Sequence, residues 1–350
     1  MMHVFNELRP SGAEVILLDS LDLWYRHGYA IEVVAKAANE GPFAQQFRDR
    51  GVVVHHIDPT TNEPLVPRLT RLFSQRAPDV VHIHAESHST GVAISAKRAR
   101  VRRVVRTVHA PFTTSRAGQT KRVLQRFFVR RIGIKMVAVS ETVAANELDR
   151  FYNPCRVVTN GADLSRFQPP TDQRRRSLRE SLGLSDHLFP VAISVANCAP
   201  VKNHEEILRA LNHVPNCYYL HVGEEDPDGR ERRLAEELGV ADRVLFAGPQ
   251  SDVSVWLQAA DVYVMPSTYE GLPLAALEAL ACGLPAVLAP VGGLLEISAP
   301  GLGIAWADRA QGIVEQLRAL PPASSGKSLD DLRERFSLAR AVASYADIYS

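Results

Sequence analysis

Thirteen short apolar runs separated by helical stretches predict an α/β protein built as two doubly wound domains. Three observations point there. The runs are continuous in Val, Ile, Leu and Ala, as strands buried on both faces require, so each sheet should be parallel and covered by helices. They fall into two sets on either side of a proline-bearing break at Phe167-Gln168-Pro169-Pro170-Thr171. The length of 350 residues, 46% of them hydrophobic, suits two cores rather than one.

In the first set, strands are expected at His3–Asn6, Ala30–Ala35, Val52–Ile57, Val80–His84, Val104–His109, Met136–Val139 and Arg156–Thr159. In the second they are expected at Val191–Ala196, Tyr218–Val222, Val244–Ala247, Val262–Met265, Ala286–Ala289 and Ile304–Trp306. Ser140 is placed to cap the helix that follows Val139. Asn160-Gly161 marks a tight turn before the interdomain break, and Pro321-Pro322-Ala323-Ser324-Ser325-Gly326 reads as a second flexible stretch. Ligands of doubly wound sheets bind at the carboxyl ends of the strands, so loops at those ends are where functional residues are expected.

Composition narrows the class. No apolar run reaches the roughly 18–20 residues that a membrane-spanning helix needs. The amino end, Met1-Met2-His3-Val4-Phe5-Asn6-Glu7, lacks a basic stretch followed by an apolar one, so no signal peptide is expected. Cys155, Cys198, Cys217 and Cys282 are scattered without a C-x-x-C pair and read as reduced thiols of a cytoplasmic protein. The net charge of +1 hides an asymmetry: residues 1–165 hold 23 Lys and Arg against 15 Asp and Glu, and residues 166–350 hold 17 against 24. Thirteen of the basic residues lie within 97–135, so the first domain should present a face that attracts an anionic surface or acceptor. Nucleic acid would be drawn by the same charge, but no nucleic-acid-binding module accompanies it, and none is expected as a partner.

Within that basic segment, Lys121–Arg131 has helical period. Arg122, Arg126 and Arg130 line one stripe, and Val123, Leu124, Phe127 and Phe128 another. Such a helix either buries its apolar side in the domain or lies on an anionic membrane, peripheral to its inner face. His82, His84 and His88 form an H-x-H-x3-H pattern, and strand alternation puts the first two on one face. Only Glu86 stands near them to complete a ligand set, so no metal is expected.

The most informative stretch is Ser267-Thr268-Tyr269-Glu270-Gly271-Leu272-Pro273-Leu274, continuing through Glu278 to Gly283-Leu284-Pro285. Pro273 suits the first helical turn, Gly283 the carboxyl-terminal cap, and Pro285 stops the helix. Glu270 then lies in the strand-to-helix loop and Glu278 about a turn and a half into the helix. Backbone N–H groups from Gly271 and Leu272 to Leu274 would gather at a helix amino end, which suits an anion such as a diphosphate. The two carboxylates could hold sugar or ribose hydroxyls beside it.

Glu270-Gly271-Leu272-Pro273-Leu274, followed by Glu278-Ala279-Leu280-Ala281-Cys282-Gly283-Leu284-Pro285, resembles the E-x7-E signature of retaining GT-B glycosyltransferases of family four, the glycosyl transferases of group 1. The resemblance runs across most of the chain. Asn160-Gly161-Ala162-Asp163 through Phe167 and Pro169 resembles the family's N-G-V-D-x-x-x-F-x-P junction. Ser11-Gly12-Ala13-Glu14 resembles its G-G-A-E loop, with Ser11 where the first glycine stands. His109 falls on the family histidine that faces the donor sugar, and Lys202 on the lysine that contacts the donor diphosphate. Val222-Gly223-Glu224 and Phe246-Ala247-Gly248 resemble the borders of the base pocket, and Val291-Gly292-Gly293 resembles a family turn.

The resemblance implies two Rossmann-like domains facing a cleft. Residues 1–168 would be the acceptor side and 169–336 the nucleotide-sugar side, with the terminal helix in 337–350 returning to the first. It implies a retaining transferase that moves a sugar from a nucleotide-diphospho-sugar to a glycan or lipid-linked hydroxyl acceptor, without a metal or other cofactor, in glycan, polysaccharide or glycolipid synthesis. Glu278 would hold the ribose and Glu270 the donor sugar. Lys202 and the amides near Gly271 would stabilise the departing diphosphate, with His109 and Gly12 contributing from the first domain. One position departs from the pattern. The family's V-G-R-L-x-x-x-K loop has Asn197 at its arginine, and losing a charged stabiliser typically costs about 3–4 kcal/mol of barrier. Two alternatives therefore stand beside transfer: an impaired relative that binds nucleotide or scaffolds an assembly, and a sugar-nucleotide epimerase.

Overall fold

The structure, a computed structural model, describes residues 1–111, 116–184, 189–324 and 326–350. It divides into two compact units, Met1–Gly161 with Leu338–Ser350, and Ala162–Ser337. Each is an α/β unit around one parallel sheet, as the apolar runs predict.

In the first unit the strands are β1 (Met2–Phe5), β2 (Glu32–Ala35), β3 (Val53–His56), β4 (Val80–Ile83), β5 (Arg103–Val108), β6 (Lys135–Ala138) and β7 (Arg156–Val157). They lie in the order β3-β2-β1-β4-β5-β6-β7. The second unit has β8 (Val191–Val195), β9 (Tyr218–Val222), β10 (Val244–Phe246), β11 (Val262–Met265), β12 (Ala286–Leu288) and β13 (Ile304–Trp306). Their order is β10-β9-β8-β11-β12-β13. The central strands β1, β4 and β11 are buried at every position, whereas the edge strands β3 and β10 are only partly covered. Strand order reverses between β1 and β4 and between β8 and β11, which creates a crevice at the carboxyl ends of each central pair.

The chain changes unit at Gly161, earlier than the 168/169 boundary the prolines suggest. The backbone N–H of Ala162 donates to Phe336 O at 2.9 Å, Ala162 also bridges Ser337, and Leu164 and Phe167 are buried. These bonds pull the segment into the second unit. The stretch 321–326 is also tied down: Ser324 is buried and its hydroxyl accepts from the Gly303 N–H at 3.2 Å, while Ser325 lies outside the described residues.

Ser140 caps the helix Glu141–Phe151 by accepting from Val143 N–H at 3.2 Å. The terminal helix Leu338–Tyr349 belongs to the first unit, where the Tyr345 hydroxyl meets Thr107 Oγ1 at 2.9 Å and the Tyr349 hydroxyl meets His82 Nδ1 at 2.6 Å.

The basic helix, Arg116–Arg131, does not bury its apolar stripe, the first of the two arrangements its period allows. Arg122 and Arg126 turn inward, while Arg130 and Arg131 are exposed. Arg126 is buried, with Nε 2.9 Å from Glu147 Oε2, and both Arg122 and Arg106 pair with Glu86. Leu124, Phe127 and Phe128 are exposed instead. The cause lies in residues far away in sequence: Glu86 and Glu147 supply inward-facing negative charge. Burial alone would raise the Glu86 pKa, but Arg106, Arg126 and Arg122 outweigh it and hold the carboxyl below its ordinary value.

Candidate functional site

The loops after β8, β9, β10, β11 and β12 share one end of the second sheet, and backbone bonds join them. After β8 the chain runs through a short 3-10 turn, Pro200–Lys202, to Asn203 in the left-handed region at φ 56. Asn203 tolerates that conformation and donates from Nδ2 to Pro266 O at 3.2 Å. Thr268 N–H donates to Val201 O at 2.8 Å. Together these bonds hold the Lys202 loop against the loop after β11, and Lys202 Nζ lies 2.7 Å from Glu270 Oε1.

Glu270 is 8% exposed. Its backbone is fixed from the other side by the turn after β12, where Gly293 N–H donates to Glu270 O at 3.1 Å. Only glycine permits this approach. A Cβ on Gly292 would stand 2.3 Å from Glu270 O, and one on Gly293 1.8 Å from Gly271 O.

Pro273 occupies the N-cap position itself, one residue before the helix Leu274–Ala281, and no side chain caps that helix among the described residues. Its first-turn N–H groups lack intrahelical partners by construction and form a partial positive charge. Leu272 is buried beside Glu270, and Glu278 lies half-buried one turn into the helix. Gly283 follows the C-cap at φ 75 with its N–H on Leu280 O. Both carboxylates act on one neighbour: burial first, then the charges of Glu270 and Glu278, push the Tyr263 phenol well above its ordinary pKa.

Asn197 serves the loop framework. Its Oδ1 accepts from Glu224 N–H at 3.3 Å, and Cys198 N–H donates to Glu224 O at 2.8 Å. Gly223, at φ 151, has its N–H on Gly248 O at 3.0 Å, and a Cβ there would collide with Ala196 O at 2.1 Å. The structure thus brings Lys202, Glu270, Gly271 and Leu272 together at one helix end, and Asn197, Gly223 and Gly248 together at the neighbouring strand ends.

Gly12 and His109 belong to the first unit. Gly12 opens the helix Gly12–Asp19, and Ser11 before it donates its hydroxyl to Glu14 rather than capping the backbone. Burial, opposed by that bond, pushes the Glu14 carboxyl up to about 7. His109 follows β5 and ends a string of imidazoles absent from the sequence-level expectation: His3 Nδ1 to His84 Nε2 at 2.9 Å, and His84 Nδ1 to His109 Nε2 at 3.0 Å. Burial, then the Arg106 charge, lowers His109 to about 4, so the ring is neutral at pH 7. The H-x-H spacing at the end of β4 was the available signal for this string.

Among the described residues, two groups have ligating atoms within 4.8 Å of one another: His3 with His82 and His84, and Cys198 with His204 and His221. In the first, both His82 nitrogens are engaged, by Thr107 Oγ1 at 2.7 Å and by Tyr349 at 2.6 Å. In the second, Cys198 Sγ lies 3.4 Å from His221 Nε2, and burial foremost raises the thiol to about 12.

Two family descriptions match the chain, Glycosyltransferase Family 4 at residues 10–166 and Glycosyl transferases group 1 at residues 173–333. Among curated relatives, a GDP-mannose-dependent alpha-(1-6)-phosphatidylinositol monomannoside mannosyltransferase of Mycolicibacterium smegmatis is 30% identical over 266 residues, covering 70% of this chain and 67% of that protein. A UDP-Gal:alpha-D-GlcNAc-diphosphoundecaprenol alpha-1,3-galactosyltransferase of Escherichia coli is 27% identical over 307 residues, covering 81% and 77%. A D-inositol 3-phosphate glycosyltransferase of Catenulispora acidiphila is 33% identical over 242 residues, and the match spans 59% of this chain but only about half, 53%, of that protein. Among solved structures, Anabaena HepE in complex with UDP and glucose superposes with a TM-score of 0.85 at 19% identity, covering 99% of this chain and 98% of its own. At that identity the likeness shows the fold alone.

Proposed function

The chain belongs to the group 1 glycosyl transferases, and from that premise we propose that it moves a sugar from a nucleotide-diphospho-sugar to a hydroxyl acceptor with retention at the anomeric carbon. The observation that carries the reading is the Lys202–Glu270 pair at the uncapped amino end of the helix Leu274–Ala281, with Glu278 one turn further on.

In this reading the helix amides and Lys202 take the diphosphate, and their charge grows in value as the leaving group gains negative charge. Glu270 orients the donor sugar while holding Lys202 in place. Glu278 accepts from ribose hydroxyls, and Gly223 and Gly248 border the base. In the first unit, His109, neutral, can hydrogen-bond a sugar oxygen, and Gly12 lets backbone approach a ligand. The acceptor attacks on the face the nucleotide leaves, and no metal or other cofactor is assigned to the transfer. The donors in the relatives' names, GDP-mannose and UDP-Gal, support a guanosine or a uridine nucleotide. A lipid-linked acceptor in glycan or glycolipid synthesis is supported by the substrates in the mannosyl- and galactosyltransferase names. A peripheral place on the inner membrane face is supported by exposed Leu124, Phe127 and Phe128 beside exposed Lys121, Arg130 and Arg131.

Asn197 favours a second reading, nucleotide binding with little turnover, because its amide is held by Glu224 N–H and brings no charge. A donor screen separates the two. The protein is incubated with UDP-, GDP-, ADP- and dTDP-sugars and lipid or glycan acceptors, and the product anomer is read by NMR. A product that keeps the donor's anomeric configuration supports retaining transfer; saturable nucleotide binding without product supports the second reading.

A further inference from the structure

The first unit contains a buried cation that the donor chemistry leaves unused. Lys36 follows β2 directly and is 2% exposed. Its Nζ donates to Asn6 Oδ1 at 3.0 Å and to Ser87 Oγ at 3.2 Å, and Ser87 Oγ donates to Asn6 Oδ1 at 2.6 Å. Both partners are neutral, and among the described residues no carboxylate pairs with Lys36. Burial alone drives its pKa down to about 8. A buried ammonium served only by neutral oxygens is unfavourable unless a negative charge joins it.

The location points to a ligand. Asn6 follows β1 and Ser87 lies just beyond β4, the adjacent strands between which the order reverses. Crevices at such a reversal are where doubly wound sheets take ligands. Asn6 and Ser87 are exposed, so the ammonium lies under a polar opening. Two residues past Ser87 the ten-residue helix Ser89–Arg98 begins, without a side-chain cap, and its amino end adds partial positive charge.

We propose that Lys36, Asn6, Ser87 and the amino end of the helix Ser89–Arg98 form a subsite for a phosphate group carried by the acceptor. Assigning the phosphate to the acceptor rests on the transferase reading; the binding of the anion does not. The same oxygens could come from a soluble phosphomonoester or a lipid headgroup. Glycerol 3-phosphate and dihexanoyl phosphatidate are therefore titrated separately, with amide shifts of Ser87, Ser89 and Thr90 as the local readout.

Both probes should saturate these shifts in the wild type and in Lys202→Met, and the tighter one names the source. Lys36→Met should weaken binding about tenfold or more, the loss expected when a charge-assisted contact of about 1.4 kcal/mol or more is removed. Lys36→Arg, which keeps the charge, should retain most of it and guards against a folding defect. Unmoved amides in the wild type, or equal affinity in Lys36→Met, would overturn the subsite. Loss of nucleotide binding with these shifts intact would count against the donor reading alone.

Discussion

Glu14 shows how a single residue carries a pH signature. The folded protein holds its proton up to about pH 7, whereas the unfolded carboxyl releases it near 4.5. Its contribution to stability is therefore full below about pH 4.5 and lost as pH rises to about 7. Glu14→Gln should flatten the melting temperature across that window; an unchanged slope would contradict the assignment. His84 acts through its neighbour. Among the described residues the buried Nε2 of His3 has no partner, and an orphaned lone pair is tolerated better than an orphaned N–H. His3 then donates to His84, His84 donates from Nδ1 to His109 Nε2, and His109 presents Nδ1–H. Nitrogen-15 shifts should report that tautomer, and His84→Phe should release it; an Nε2–H at His109 in the wild type would refute the ordering. At this scale the motif residues were legible because each keeps its sequence register: Lys202, Glu270, Gly292 and Gly293. The imidazole string and Lys36 were not, because their partners come from strands adjacent only after folding.

The helix Arg116–Arg131 makes the same point for an element. Its period revealed two stripes, but periodicity cannot say which stripe faces in when acids from elsewhere meet the basic one. Arg126 lies between Glu147 and Glu86 inside the first unit. Replacing it with Met leaves the buried Glu147 carboxylate, among the described residues, with only the Asn153 amide beside it, and should cost about 3–5 kcal/mol in denaturant unfolding. Adding Glu147→Leu should recover part of that loss; a loss under about 1 kcal/mol would mean the pair contributes little. The exposed stripe predicts membrane contact. Burying Phe127 at a lipid interface is worth about 2 kcal/mol, so Phe127→Glu should cut co-sedimentation with anionic vesicles about tenfold or more. Equal partitioning of the wild type between anionic and neutral vesicles would remove the membrane reading. Strands were easier to read: all thirteen apolar runs became strands, with ends shifted by two residues at most, because burial on both faces leaves a local signature.

For the whole molecule, two sheets that share one strand order over six strands place the loops at their carboxyl ends by topology, and the matched sequence motifs fall on those loops. The unit boundary was less legible, since bonds from Ala162 to Phe336 and Ser337 override the prolines. The central claim is that the second unit holds a nucleoside diphosphate between Lys202, the helix amides and Glu278. Calorimetric titration of UDP, GDP, ADP and dTDP against the wild type, Glu278→Ala and Lys202→Ala tests it directly. Saturable binding of one nucleotide, weakened about tenfold or more by each change, is predicted, since each removes hydrogen bonds involving a charged group. Binding of none of the four, or affinity unchanged in both variants, would contradict it.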